Sequence, residues 1–172
     1  MQISSGPRRP TEDLIAIMLE CHERIRLFTK TSIRIGTERD ALDADIVRAS
    51  EDCERYFTTS LRLHIEDEER SIEPRLRLAD PACSSSLDAM TTQHKEHAPL
   101  LDSLCESLRR LRESPANASL REAAGATAIK LSALFEEHLT LEETIIFPAV
   151  QRALSPEVQR TIVNEVRARR RI

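Results

Sequence analysis

The sequence predicts an all-α fold, an up-down-up-down four-helix bundle with a short additional C-terminal helix. Three observations lead there. Only three glycines, Gly6, Gly36 and Gly125, occur in 172 residues, where average usage of about 7% predicts roughly a dozen. Leu, Ala, Glu and Arg, all good helix formers, are abundant. Apolar residues recur at three- and four-residue intervals over four long stretches, separated by glycine, proline or serine signals.

Each element follows from its own residues. Residues 1–11 are polar and proline-bearing, expected to form a flexible arm that ends at Thr11, a candidate helix N-cap. The bundle occupies 12–154. Its first helix runs over 12–35 and stops at Gly36, the usual C-terminal place for glycine. The second runs from 41 to past 72, with Pro74 and Pro81 marking its end. The third spans 87–112, between the Ser84-Ser85-Ser86 run and Pro115, with a kink expected at Pro99. The fourth spans 120–154 and is interrupted by Pro148. Over 155–172, Ser155 as N-cap and proline at the first helical position start an amphipathic helix. It is expected to lay Val158, Ile162, Val163 and Val166 across the bundle.

Composition removes several function classes. So few glycines argue against a glycine-rich phosphate loop, and a net charge of −4 with five aromatic residues gives no basic, stacking groove for nucleic acid. No run of 18 apolar residues suggests a membrane span. Arg8 and Arg9 have no apolar stretch behind them that resembles a signal sequence. Cys21, Cys53, Cys83 and Cys105 form no C-x-x-C pair and read as free thiols, so a cytoplasmic protein is expected. The run Arg167, Arg169, Arg170 and Arg171 reads as a solvated helix end whose cations suit the C-terminal dipole.

The informative polar residues lie on the apolar stripes. The first helix reads Leu14, Met18, His22, Ile25 and Phe28; the second Phe57, Leu61, His64, Glu68 and Ile72. The third reads Met90, His94, His97, Leu101, Leu104 and Leu108; the fourth Leu131, Phe135, His138, Glu142, Ile145 and Ala149. All five histidines of the chain therefore point toward the bundle interior. An internal repeat agrees. His64, Glu68, Glu69, Ile72 and Pro74 recur at an offset of 74 as His138, Glu142, Glu143, Ile146 and Pro148, while Met18 and His22 recur at 72 as Met90 and His94.

His-x-x-x-Glu sets an imidazole and a carboxylate one turn apart on one helical face. A single copy is common by chance. Two copies at equivalent repeat positions, both on apolar stripes and each joined by a further interior histidine, are far more specific for a dinuclear metal site. A buried carboxylate needs a partner or a metal, so ordinary buried hydrogen bonds between His and Glu are the simpler alternative. His97 is open to three roles: third ligand, hydrogen-bond donor or rim residue. Glu66, Asp67, Glu69 and Glu143 read as solvated charges or acceptors behind the ligands. Tyr56 reads as a core residue with its hydroxyl at the edge.

Over roughly residues 12–150 the chain resembles the hemerythrin-like, or HHE cation-binding, family, chiefly through the two H-x-x-x-E-E-x-x-I-x-P segments. The resemblance implies two non-haem iron ions, His22 and His64 toward one, His94 and His138 toward the other, with Glu68 and Glu142 as bridging carboxylates. Oxygen carriers of the family add a second histidine on the third helix where this chain has Ala98, with His97 one residue early. They also use an aspartate five residues after the last histidine, where this chain has Glu142 at four and Glu143 at five. The candidate metal set is thus His22, His64, Glu68, His94, His97, His138 and Glu142. Mixed imidazole and carboxylate ligands also suit manganese or zinc. The function expected is binding or sensing of O2 or NO, more a metal- and gas-binding protein than a dedicated enzyme. The alternatives are a stress enzyme, through peroxide removal or iron donation for iron–sulfur repair, and iron-responsive regulation through a protein partner that the sequence does not name.

Overall fold

A computed structural model describes residues 13–170, which are helical without any strand. The arm expected over 1–11, the Thr11 cap and Arg171 lie outside the described residues. Five helices run in order: α1 (Leu14–Thr37), α2 (43–79), α3 (Ser84–Glu113), α4 (118–153) and α5 (Pro156–Arg169). Each of the first four packs against the helices before and after it, and α1 closes the square against α4. Helix α5 lies across α1 and the middle of α2.

Local chemistry sets most boundaries. Asp13 caps α1, its Oδ1 accepting from the Ala16 N–H at 3.1 Å. Asn117 and Ser155 cap α4 and α5 in the same way. The serine run belongs to the first turn of α3, behind a 3-10 turn over Pro81–Cys83, and α3 continues unbroken through Pro99.

Three expectations need correction. Gly36 does not end α1, which continues to Thr37, and no glycine among the described residues has positive φ. Its role is close approach: a methyl group on Gly36 would lie 2.5 Å from the Cα of Gly125. Pro74 does not end α2, which runs on to Ala79. In both halves the glutamate pair opens a π-helical turn, Glu68–Ile72 in α2 and Glu142–Ile146 in α4, and a proline, with no N–H to continue an α ladder, follows at Pro74 and Pro148. A further π turn spans Tyr56–Ser60. Ile145, the third misreading, is exposed, and Ile146 is buried in its place, because the extra residue of the π turn rotates the face that meets the core.

The core is two apolar blocks with a polar layer between them. One block collects Leu14, Met18, Ile72, Leu76, Leu87, Met90, Ile146 and Val150. Ile162, Val163 and Val166 of α5 seal it, with Val158 packed alongside half-buried. The other holds Ile25, Phe57, Leu61, Leu104, Leu131 and Phe135. On each of the first four helices the histidine or glutamate singled out by the sequence falls between a residue of one block and a residue of the other. No helix of the described residues is long and apolar enough to cross a membrane.

Candidate metal centre

Six of the seven candidate residues meet in this polar layer: His22, His64, Glu68, His94, His138 and Glu142, each at most 7% exposed. Their ligand atoms form two groups. His22 and His64 stand with Glu68 and Glu142 in one, His94 and His138 with the same two glutamates in the other, and within each group the atoms lie within 4.8 Å of one another.

Each carboxylate faces both groups. Glu68 Oε1 is 2.9 Å from His64 Nε2 and its Oε2 is 3.3 Å from His94 Nε2. Glu142 Oε2 is 3.0 Å from His22 Nε2 and its Oε1 is 3.3 Å from His138 Nε2. The two π turns carry these glutamates, and each lies four residues after the histidine of its own helix.

The outer nitrogens fix which way the lone pairs point. His22 Nδ1 donates to Glu143 at 2.8 Å, His94 Nδ1 to Glu69 at 2.9 Å and His138 Nδ1 to the Gln93 side-chain oxygen at 2.9 Å. A neutral imidazole with its proton on Nδ1 has a bare Nε2. His94 Nε2 and His138 Nε2 then face each other at 3.2 Å as two acceptors. His22 Nε2, His64 Nε2 and all four oxygens of Glu68 and Glu142 are buried without a geometrically sound hydrogen bond, despite the short separations. With the imidazoles neutral, acceptors converge without donors, an arrangement that costs free energy unless protons or a metal cation sit among them. The residues present fit a bound metal pair.

Proton affinities reflect the same crowding. Burial and the Glu68 charge push Glu142 up to about 7. Glu68 is held well below the usual carboxylate range, because His64 and His94 outweigh the opposing effect of burial. Against burial, the Glu68 carboxylate also holds the protons on His64 and His94 above the ordinary histidine value. Burial depresses His138 to about 3 and His97 to about 4.

His97 stands apart. It is buried edge-on against Phe135 and His138, with ring centroids 5.2 and 5.4 Å away, and contributes to neither group. Tyr56 is a core residue, stacked on Phe28 at 4.1 Å. Beside His94 opens a cleft of 410 Å³ walled by Phe57, Leu61, Ile65, Ala98 and Leu101, with Arg62 at its edge.

Sequence reasoning left several supporting residues undecided or missed them. Glu69 and Glu143 are the acceptors behind His94 and His22, and Arg26 holds Glu143 at 3.0 Å. Their recurrence in the repeat was the available signal. Gln93 was not foreseen; it precedes His94 as Cys21 precedes His22. Asp67 is fully buried, gripped by Arg169 at 2.7 Å and Arg170 at 2.6 Å, so the arginine run is no freely solvated helix end: these two clamp α5 to the helix that carries His64 and Glu68. Glu165 adds to the clamp through Arg75 at 2.7 Å and Ser71 at 2.6 Å.

Fold and site together define a helical-bundle cation-binding domain. The family model of the hemerythrin HHE cation-binding domain matches residues 13–150, and the chain belongs to that family. No curated protein matches the chain.

Proposed function

We propose that the protein binds two non-haem iron ions, with His22 and His64 serving one, His94 and His138 the other, and Glu68 and Glu142 bridging, and that it binds or senses O2 or NO. One observation carries this reading: each buried glutamate turns its two oxygens toward two different histidine pairs. Family membership favours iron, and the imidazole–carboxylate set also accepts manganese or zinc. An iron pair held by these residues would supply one-electron chemistry and bind a diatomic ligand.

The protein's own part is to position and to exclude. Glu143, Glu69 and Gln93 fix the tautomer and orientation of three histidines. Met18, Ile25 and Leu61 bury the layer and keep water from it. His97 packs against His138 as a neutral wall, since burial leaves it uncharged at neutral pH. The cleft beside His94 has room for hydrogen peroxide as well as for a diatomic gas, and peroxide removal is the second reading. Four free thiols support a reducing, cytoplasmic setting.

The test is anaerobic loading with ferrous iron, metal analysis, then exposure to NO or air. Two irons per chain and a visible absorption change on gas addition are expected, with a stable adduct for a sensor and rapid turnover for a peroxide-removing enzyme. A chain that retains no metal and stays colourless refutes the reading.

A further inference from the structure

Four histidines face the centre, and three have an oxygen behind them. The arrangement follows the repeat. Glu69 and Glu143, equivalent positions, each support the histidine on a helix of the other half. Gln93, the residue before His94, supports His138 within its own half. Its equivalent is Cys21, the residue before His22, and the histidine it should support is His64. His64 Nδ1 is buried with no hydrogen-bond partner, and its polar neighbour is the Cys21 thiol. Where one half has an amide oxygen the other has sulfur, a weak acceptor.

Cys21 also differs from the other three cysteines, which are buried. It is partly exposed and opens on a small pocket of 120 Å³ shared with Arg24, Tyr56, Ser60, Leu63 and Arg170. A partly exposed thiol among cationic groups is the setting in which cysteine reacts with oxidants.

We propose that Cys21 is a peroxide-oxidised thiol, and that the sulfenic oxygen so formed supplies the acceptor His64 lacks and tightens the centre's hold on its cations. The sulfur lone pair attacks one oxygen of hydrogen peroxide; an S–O bond forms as the O–O bond breaks, and the thiol proton leaves with the departing hydroxide as water. Sulfur loses two electrons and the peroxide gains them. The new oxygen then accepts from His64 Nδ1–H, as Gln93 does from His138, and thiols reverse the change.

The full-length chain, freed of metal, is treated with hydrogen peroxide in the presence of dimedone and mapped by peptide mass spectrometry. Cys21 is expected to form the adduct at least about tenfold faster than Cys53, Cys83 or Cys105, in line with its exposure. Zinc, which does no redox chemistry of its own, probes the coupling in a sample oxidised without dimedone. Oxidation is expected to raise zinc affinity about tenfold, the scale of partners behind a metal-binding histidine. Cys21→Gln, which copies the other half, should match the oxidised protein without peroxide; Cys21→Ala should stay at the reduced level and ignore peroxide. Equal reaction rates at all four thiols, unchanged or weaker zinc binding after oxidation, or a Cys21→Gln chain no tighter than the parent would overturn the proposal. The coupling rests on the metal reading above. Zinc binding absent from every form would overturn the coupling, the iron-loading test decides that reading, and the adduct rates alone decide the chemistry at Cys21.

Discussion

Removing one charge from the centre should stabilise the metal-free protein while crippling metal binding. Glu142 is buried against the Glu68 charge, and these push its carboxyl from an ordinary 4.5 to about 7. The folded chain therefore holds this proton more tightly than the unfolded chain does. Its contribution to stability is complete below about pH 4.5 and is lost as the pH rises through about 7. The full loss is about 3 kcal/mol, from 1.36 kcal/mol per pKa unit. Glu142→Gln cannot ionise and escapes it. Two effects offset the gain: a buried amide without partners costs about 1 kcal/mol, and His64 loses a carboxylate that helps hold its proton. The net expectation at pH 8 is a variant more stable by about 1–2 kcal/mol, equivalent to a Tm raised by about 2–4 °C per kcal/mol, with the gain shrinking toward pH 5. Urea unfolding in the presence of a chelator, followed by far-ultraviolet circular dichroism at pH 5 and pH 8, measures it. A variant no more stable than the parent at pH 8, or one with the same gain at both pH values, refutes the account of buried like charge.

Three further outcomes follow from the geometry. Gly125→Ala gains about 1 kcal/mol of helix propensity, but its methyl group meets the Gly36 Cα at 2.9 Å, and overpacking of about 1–3 kcal/mol should lower the Tm; Gly36→Ala, blocked at 2.5 Å, should lower it more, and a raised Tm in either variant counts against the close contact. Asp67→Asn removes the charge that Arg169 and Arg170 grip. Because both arginines are partly exposed and can turn to water, the cost should be about 1–3 kcal/mol, below that of a fully buried pair; hydrogen exchange over 156–169 should quicken, and unchanged exchange would show that the clamp does not hold α5. Zinc affinity should rise from pH 6 to pH 8, because the metal must displace protons from Glu142, at about 7, and from His64 and His94, whose affinities are raised. A flat profile in a chelator competition would mean that these groups are already deprotonated.

The inner residues of the centre were legible because a buried histidine or glutamate on an apolar stripe breaks the pattern around it, and the repeat showed the same break twice. The supporting groups were harder. Glu69 and Glu143 lie five residues after their own histidines, off the inward face of an α-helix, and reach histidines on neighbouring helices; only packing across helices reveals that use. The π turns have no period of their own in the sequence, so an α-helical period places Ile145 on the inward face and reads Pro74 as an end. Gly36 stands where a glycine commonly stops a helix, and its contact with Gly125 depends on a helix distant in the chain. Asp67 looked like one more surface acid in a run of charges until α5 brought Arg169 and Arg170 to it.

The two helix pairs that make up the repeat lend each other what each lacks. Glu69 of the first steadies His94 of the second, Glu143 returns the service to His22, and α5 reaches back to grip Asp67. A half expressed alone keeps its two histidines and one carboxylate, but loses the other carboxylate and the acceptor behind its first histidine. Fragments divided near residue 80 should therefore recognise each other, and a divalent ion should act as the template for their reunion. A bound ion would then do more than occupy the bundle: its retention would report that both halves are present and docked.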